Sequence, residues 1–192
     1  MKIRVFLLGI LLCSCIHAAW AFNHDYSQTW VSKLFLSKPD PAGGCIVNLT
    51  FEQALEVIRL TDNLSLGIPK IVYLVGWQYN GHDDKYPAFF DANPLLKRPS
   101  DKTALESLRW LMREARKYHT TVSLHINMTD AYDDSPLWDE YVEKDLISKN
   151  ADGSLKVIGE YNNRKAYQVN YQREWEAGYT QMRIDKLLAL VP

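Results

Sequence analysis

Two clusters of polar and aromatic side chains carry most of the chemistry this sequence could do. One runs Gly76-Trp77-Gln78-Tyr79-Asn80-Gly81-His82-Asp83-Asp84-Lys85-Tyr86-Pro87, the other His125-Ile126-Asn127-Met128-Thr129-Asp130-Ala131-Tyr132. Between them they supply what a sugar needs. Aromatic faces suit the apolar C–H patches of a pyranose, and carboxylates, amides and imidazoles form directional hydrogen bonds that tell one hydroxyl epimer from another. Trp77, His82, Asp83, His125, Asn127 and Asp130 are therefore the candidate substrate-binding residues. Each also has a plainer explanation: Trp77 as rim packing, His82-Asp83 as a turn with a capping carboxylate, His125 as a satisfied core histidine, Asp130 and Asp133 as helix caps, Trp138 as packing. The argument for binding is that such a cluster follows each of two successive strand-like segments.

His82, Asp83, His125 and Asp130 are also metal-ligand types. No His-x-x-x-His or paired-cysteine spacing accompanies them, and two distant His/Asp pairs suit hydroxyl recognition at least as well. No metal or cofactor is assigned. Signatures of serine or cysteine nucleophiles and of phosphate-binding glycine loops are lacking too. Cys45 reads as a buried, inert thiol.

The elements around the clusters read as β/α units. Thr50 and Gln53 form a capping-box pattern ahead of a helical stripe through Ala54, Leu55 and Ile58, giving a helix over 51–61. Ile71-Val72-Tyr73-Leu74-Val75 is nearly all apolar and β-prone, as a strand buried on both faces should be, and is taken as the first barrel strand. The long polar stretch 77–100 has the length of a functional loop. Thr103 and Glu106 then open a second helix striped by Leu105, Leu108, Met112 and Ala115. Thr121-Val122-Ser123-Leu124-His125-Ile126 follows as a second strand, which fits a right-handed crossover with parallel pairing. Further on, 137–147 suits a short helix or edge segment, and 150–154 a tight turn in a rim hairpin. Segment 166–169 is expected as a third barrel strand and 175–190 as a helix. Residues 22–49, with their Pro and Gly clusters, suit an irregular lead-in. The fold class is α/β, a partial (β/α)8 barrel of the TIM type comprising the first few units, with the binding loops at the C-terminal ends of the strands.

The 192 residues balance 22 Lys and Arg against 23 Asp and Glu, so nothing electrostatic points to a nucleic-acid partner. Lys2 and Arg4 precede an apolar run over 5–12, and Ala19-Trp20-Ala21 offers a small-x-small cleavage site. Residues 1–21 thus read as a secretory signal peptide, and the chain as secreted, periplasmic or cell-surface. Leu12-Cys13-Ser14 ahead of Cys15 also resembles a bacterial lipoprotein box, the second choice, which would give a lipid tether at Cys15. No later segment approaches the roughly 20 apolar residues of a transmembrane helix.

The two clusters, with Val72-Tyr73-Leu74-Val75 ahead of the first, Ser123-Leu124 ahead of the second, Ser135-Pro136-Leu137-Trp138 and the Asp152-Gly153-Ser154 turn, resemble endo-α-N-acetylgalactosaminidases, glycoside hydrolase family 101. The likeness runs from about residue 71 to the C-terminus. It implies a (β/α)8 catalytic domain that releases Gal-β-1,3-GalNAc from Ser or Thr of mucin-type O-glycoproteins with retention of configuration. Retention needs a carboxylate nucleophile and a carboxylic acid/base about 5 Å apart. In the family's layout those two lie on later strands, so no catalytic residue is assigned here. They are expected beyond Pro192, and residues 50–192 are expected to be the N-terminal part of a truncated barrel. Two other functions stay open: a non-catalytic carbohydrate-binding module, and another α-glycosidase barrel, such as an α-galactosidase-like enzyme, with its two acids among Asp83, Asp130 and Asp134.

Overall fold

The computed structural model describes residues 25–192, so the leader at 1–21 and Cys15 lie outside the described residues. Its centre is a parallel sheet of three strands, β1 (Trp30–Phe35), β4 (Lys70–Val75) and β5 (Thr120–Leu124), in the order β1-β4-β5. Helix α1 (Phe51–Leu64) crosses over between β1 and β4, and α2 (Ala104–Ala115) between β4 and β5. Both helices start where the sequence places them. The Thr50–Gln53 and Thr103–Glu106 capping boxes are complete, each hydroxyl accepting the N3 backbone N–H while the N3 side chain accepts from the cap. Central β4 is almost wholly buried, which explains its unbroken apolar sequence. Phe51, Ala54 and Ile58 of α1 and Leu108, Leu111 and Met112 of α2 join Val72 and Leu74 in the main core.

Three expectations need correction. Segment 22–49 is not an irregular lead-in: it contains β1, which runs parallel to β4 in the register Trp30↔Lys70 to Phe35↔Val75, followed by a small antiparallel pair, β2 (Ser37–Pro39) and β3 (Cys45–Val47). The strand at 71–75 is therefore the second parallel strand. An edge strand that leaves Trp30, Val31 and Phe35 exposed carries no continuous apolar run, and the sequence pattern hides it.

Second, 166–169 is not a barrel strand. Strand β8 (Arg164–Gln168) pairs antiparallel with β7 (Val157–Tyr161) on one side and with β6 (Asp130–Ala131) on the other, in a separate sheet. Asn162 and Asn163 both sit at positive φ, 52° and 59°, and this two-residue left-handed turn forces the chain straight back along β7. The turn expected at 150–154 is present, closed by the Lys149↔Leu155 bridge and the Asn150 N–H donating to the Ser154 carbonyl at 2.8 Å. Third, the C-terminal helix is two helices, α4 (Tyr171–Glu176) and α5 (Tyr179–Leu188), broken at Gly178 with φ 79°. Short α3 (Trp138–Glu143) packs Tyr141 into a satellite core with Ala131, Leu146, Ile147 and Val169.

Candidate functional site

The loop after β4 is half core, half site. Trp77, Tyr86, Ala88, Phe89 and Leu96 are fully buried, so this stretch is ordered by packing rather than being a free polar excursion. Its first turn is moulded on the segment that follows β1. Ser37 Oγ donates to the Gly76 carbonyl at 2.6 Å and accepts from Asn93 Nδ2 at 3.0 Å, and the His82 N–H donates to the Ser37 carbonyl at 2.9 Å. Gly76 must be glycine: φ is 75°, and a Cβ there would lie 1.9 Å from the Ser37 carbonyl oxygen. Tyr79, Asp83 and Lys85 also adopt positive φ, a concentration of unfavourable backbone common at binding sites. Ser37 and Asn93 brace this loop, a role that their sequence neighbourhoods do not advertise. Asn93 Nδ2 also lies 3.3 Å from Cys45 Sγ, and that thiol is half-buried rather than enclosed.

Because β4 and β5 are adjacent and parallel, the two loops leave the sheet at the same end, and an open cleft of about 590 Å³ forms between them. His82 and Asp83 line it from the first loop, and His125, Asn127 and Asp130 from the second. The imidazole rings of His82 and His125 stand 5.3 Å apart, and His82 Nε2 lies 3.3 Å from Asp83 Oδ2. Phe35, at the end of β1, meets the His82 ring edge-on at 5.6 Å. Asn127 Oδ1 accepts from both the N–H and the hydroxyl of Thr129, and that hydroxyl also lies 2.5 Å from Asp130 Oδ1.

Five of the six candidate residues thus converge. The exception is Trp77, which is fully buried and does not line the cleft. Its indole N–H instead donates to the His125 carbonyl at 3.0 Å, so it fixes the second loop from below. A tryptophan needs one partner for its single donor, and the aromatic-rich loop packs it inward where that partner is backbone.

Burial dominates the electrostatics. It pushes the Asp83 carboxyl up to about 6, and the neighbouring Asp130 adds to the rise while His125 and Arg164 oppose it. Burial also holds both histidines below their ordinary value; Lys33 adds to this at His82, and His82 followed by Lys33 at His125. At neutral pH the pair therefore presents neutral imidazoles, each with one donor and one acceptor nitrogen, beside a carboxyl that ionises reluctantly. Such a surface exchanges hydrogen bonds with hydroxyl groups of either polarity. Among the described residues no group of three or more His, Cys, Asp or Glu is placed to hold a metal ion, and no helix is long and apolar enough to cross a membrane.

The β7–β8 hairpin closes one side of the cleft with Ile158 and Tyr161, which sequence reasoning passed over. Arg164 locks the hairpin down. Its guanidinium lies 3.1 Å from buried Asp84 and 2.6 Å from Asp134, donates to the Asp83 carbonyl at 2.9 Å, and lies 4.7 Å from the Tyr132 ring centre. Lys85 reaches the same Asp134 oxygen at 2.7 Å, so both of the expected polar loops and the hairpin are tied at one point. Beneath the second loop, the buried Arg183–Glu174 pair, at 2.5 Å, directs the other guanidinium nitrogen to the Asn127 carbonyl at 3.3 Å.

The sequence profile for endo-alpha-N-acetylgalactosaminidase matches residues 46–192. No curated protein matches the chain. Among solved structures, the α-N-acetylgalactosaminidase NagBb of Bifidobacterium bifidum superposes with a TM-score of 0.60 at 14% identity, over 80% of this chain and 26% of that one. The GH36 α-galactosidase AgaB of Geobacillus stearothermophilus gives 0.56 at 16% identity, over 88% of this chain and 20% of that one. An α-amylase from Lactobacillus plantarum gives 0.53 at 19% identity, over 83% and 35% respectively. At these identities the likeness is one of fold, and the chain spans about a quarter of the length of the NagBb structure it matches. With the family profile covering the sheet from β4 onward, both cleft loops and the hairpin, the chain belongs to the endo-α-N-acetylgalactosaminidase family, glycoside hydrolase family 101.

Proposed function

We propose that this chain supplies the first β/α units of a (β/α)8 glycosidase barrel, exported from the cell, and that its cleft grips the glycan of a mucin-type O-glycoprotein. The whole protein is a retaining hydrolase that releases Gal-β-1,3-GalNAc from Ser or Thr, and the nucleophile and acid/base are contributed from beyond Pro192. The observation that carries this reading is the convergence of His82, Asp83, His125, Asn127 and Asp130 on one open cleft at the C-terminal ends of adjacent parallel strands. In a barrel enzyme that end of the sheet is where substrate sits. Neutral imidazoles, an amide and two carboxyls match the mixed donors and acceptors of sugar hydroxyls.

The test is hydrolysis of p-nitrophenyl Gal-β-1,3-GalNAc-α by the full-length protein, with the released sugar identified by mass. Release of the intact disaccharide with initial retention of the α-anomer supports the reading; release of a monosaccharide from simple α-galactosides or α-GalNAc, with none from the disaccharide, refutes it. A second reading, in which Asp83 is itself the proton donor of another α-glycosidase, draws on its carboxyl being raised to about 6. There Asp83→Asn would abolish turnover, and the alkaline limb of the parent's pH–rate profile would follow the ionisation of Asp83. As a sugar-binding group, Asp83 would mainly set KM. Asp134 does not fit that second reading, since its carboxylate is engaged by Lys85 and Arg164.

A further inference from the structure

The hairpin offers the cleft something that neither polar loop does, an exposed aromatic face. Tyr161 is 45% exposed at the end of β7 and lines the cleft with Ile158. Its ring has a prepared seat. A Cβ on Gly159 would come within 2.9 Å of Tyr161 Cε2, Cζ and Oη, so the ring lies against the bare backbone of a glycine whose φ is not left-handed. Conformation does not call for glycine there; the tyrosine ring does. The hairpin tip is also fixed in place. Asn162 Nδ2 donates to the His82 carbonyl at 3.4 Å, and Arg164 donates to the Asp83 carbonyl. The backbone that presents the two polar residues of the first loop is thus the backbone to which the tyrosine's hairpin is pinned.

We propose that Tyr161 is a specificity-determining platform that stacks on the apolar C–H face of a galacto-configured pyranose, whose hydroxyls meet the polar side of the cleft. In a galacto sugar the axial 4-hydroxyl projects to one side and leaves a continuous C3–C4–C5 hydrocarbon patch on the other. An aromatic ring opposite a hydroxyl-binding surface selects for that division. The inference rests on the cleft being a glycan site and adds which residue reads the sugar's apolar face.

The experiment measures binding of Gal-β-1,3-GalNAc by titration calorimetry, and KM and kcat on its p-nitrophenyl α-glycoside, for the full-length protein and three variants. Tyr161→Ala should weaken binding and raise KM about two- to tenfold, the range of an aromatic stacking contact, with kcat changed less. Tyr161→Phe should restore both values, because the ring rather than the hydroxyl makes the contact. Gly159→Ala, which keeps the tyrosine but pushes it off its seat, should move KM in the same direction as Tyr161→Ala. Since Tyr161 is exposed, the melting temperature should hold in Tyr161→Ala, separating recognition from folding. Unchanged binding in Tyr161→Ala, or a Phe variant as weak as the Ala variant, overturns the inference while leaving the cleft reading intact. Failure of the unsubstituted protein to bind or cleave the disaccharide overturns both.

Discussion

The burial of Asp83 at the cleft should be measurable as a stability penalty. Its carboxyl rises from an ordinary 3.8 to about 6, and the side chain is only 17% exposed. At about 1.4 kcal/mol per pH unit the rise corresponds to about 3 kcal/mol. The sign follows from proton linkage: between those two values the folded state binds a proton that the unfolded chain has released, so stability is greatest below the unfolded value and is lost as pH rises through the folded one. Asp83→Asn removes the ionisation. The variant should therefore be more stable than the parent by about 3 kcal/mol at pH 7.5, and the gap should shrink to about 0.5 kcal/mol as pH falls to 4. Urea denaturation of the two proteins across that range reads the difference directly. The histidines and the remaining carboxylates titrate in both proteins and largely cancel, and any conformational benefit of Asn at φ 55° does not vary with pH. A gap that stays constant from pH 4 to 7.5 would refute the assignment of a buried, reluctantly ionised Asp83.

Other substitutions probe the supports. Arg164→Ala should cost about 3 kcal/mol, because Asp84, 2% exposed, keeps its Asn80 donors but loses its countercharge; a denaturation midpoint unchanged within error would count against the clamp. Arg183→Ala should cost about 3–5 kcal/mol by stranding buried Glu174. The double replacement Arg183→Met with Glu174→Leu should recover only part of that stability, because it also leaves the buried Tyr141 hydroxyl without its acceptor, and should still weaken sugar binding through the freed Asn127 carbonyl, as a double-mutant cycle with calorimetric titration would report. Trp77→Phe should lower stability by about 1–2 kcal/mol through the lost indole hydrogen bond, and acrylamide quenching should find Trp77 shielded whether or not sugar is bound. Gly76→Ala should cost about 2–5 kcal/mol from left-handed strain plus collision with Ser37, visible as a lowered melting temperature.

The parts of the fold legible in the sequence were those governed by local rules. The capping boxes at Thr50 and Thr103 depend on residues three apart, the β4 signal arises because that strand is enclosed on most sides, and half-buried β5 shows through its β-branched residues. The same logic explains why β1 escaped notice: an exposed edge strand has no reason to be uniformly apolar. For β8 the strand itself was legible but its sheet was not, since period-two patterning carries no record of partner or direction. The Asn162-Asn163 turn was the available clue. In the site, the five cleft residues stood out because their types cluster along the chain. Ser37, Asn93, Arg164 and Arg183 did not, because their partners lie 30 to 80 positions away or on unrelated elements. Trp77 shows the limit in the other direction, since its type suits a sugar platform and only packing reveals that it faces inward.

The Arg164 knot also sets an order of events during synthesis. Asp83 and Asp84 leave the ribosome some 80 residues before the guanidinium that fastens them, an interval of roughly 4–16 s at ordinary translation rates. Until then the polypeptide holding the first half of the cleft has its apolar residues Tyr86 and Phe89 available for burial but no cation to neutralise Asp84. Nascent chains stalled before residue 164 should accordingly be cut by protease within 79–86, and chains stalled well beyond it should resist.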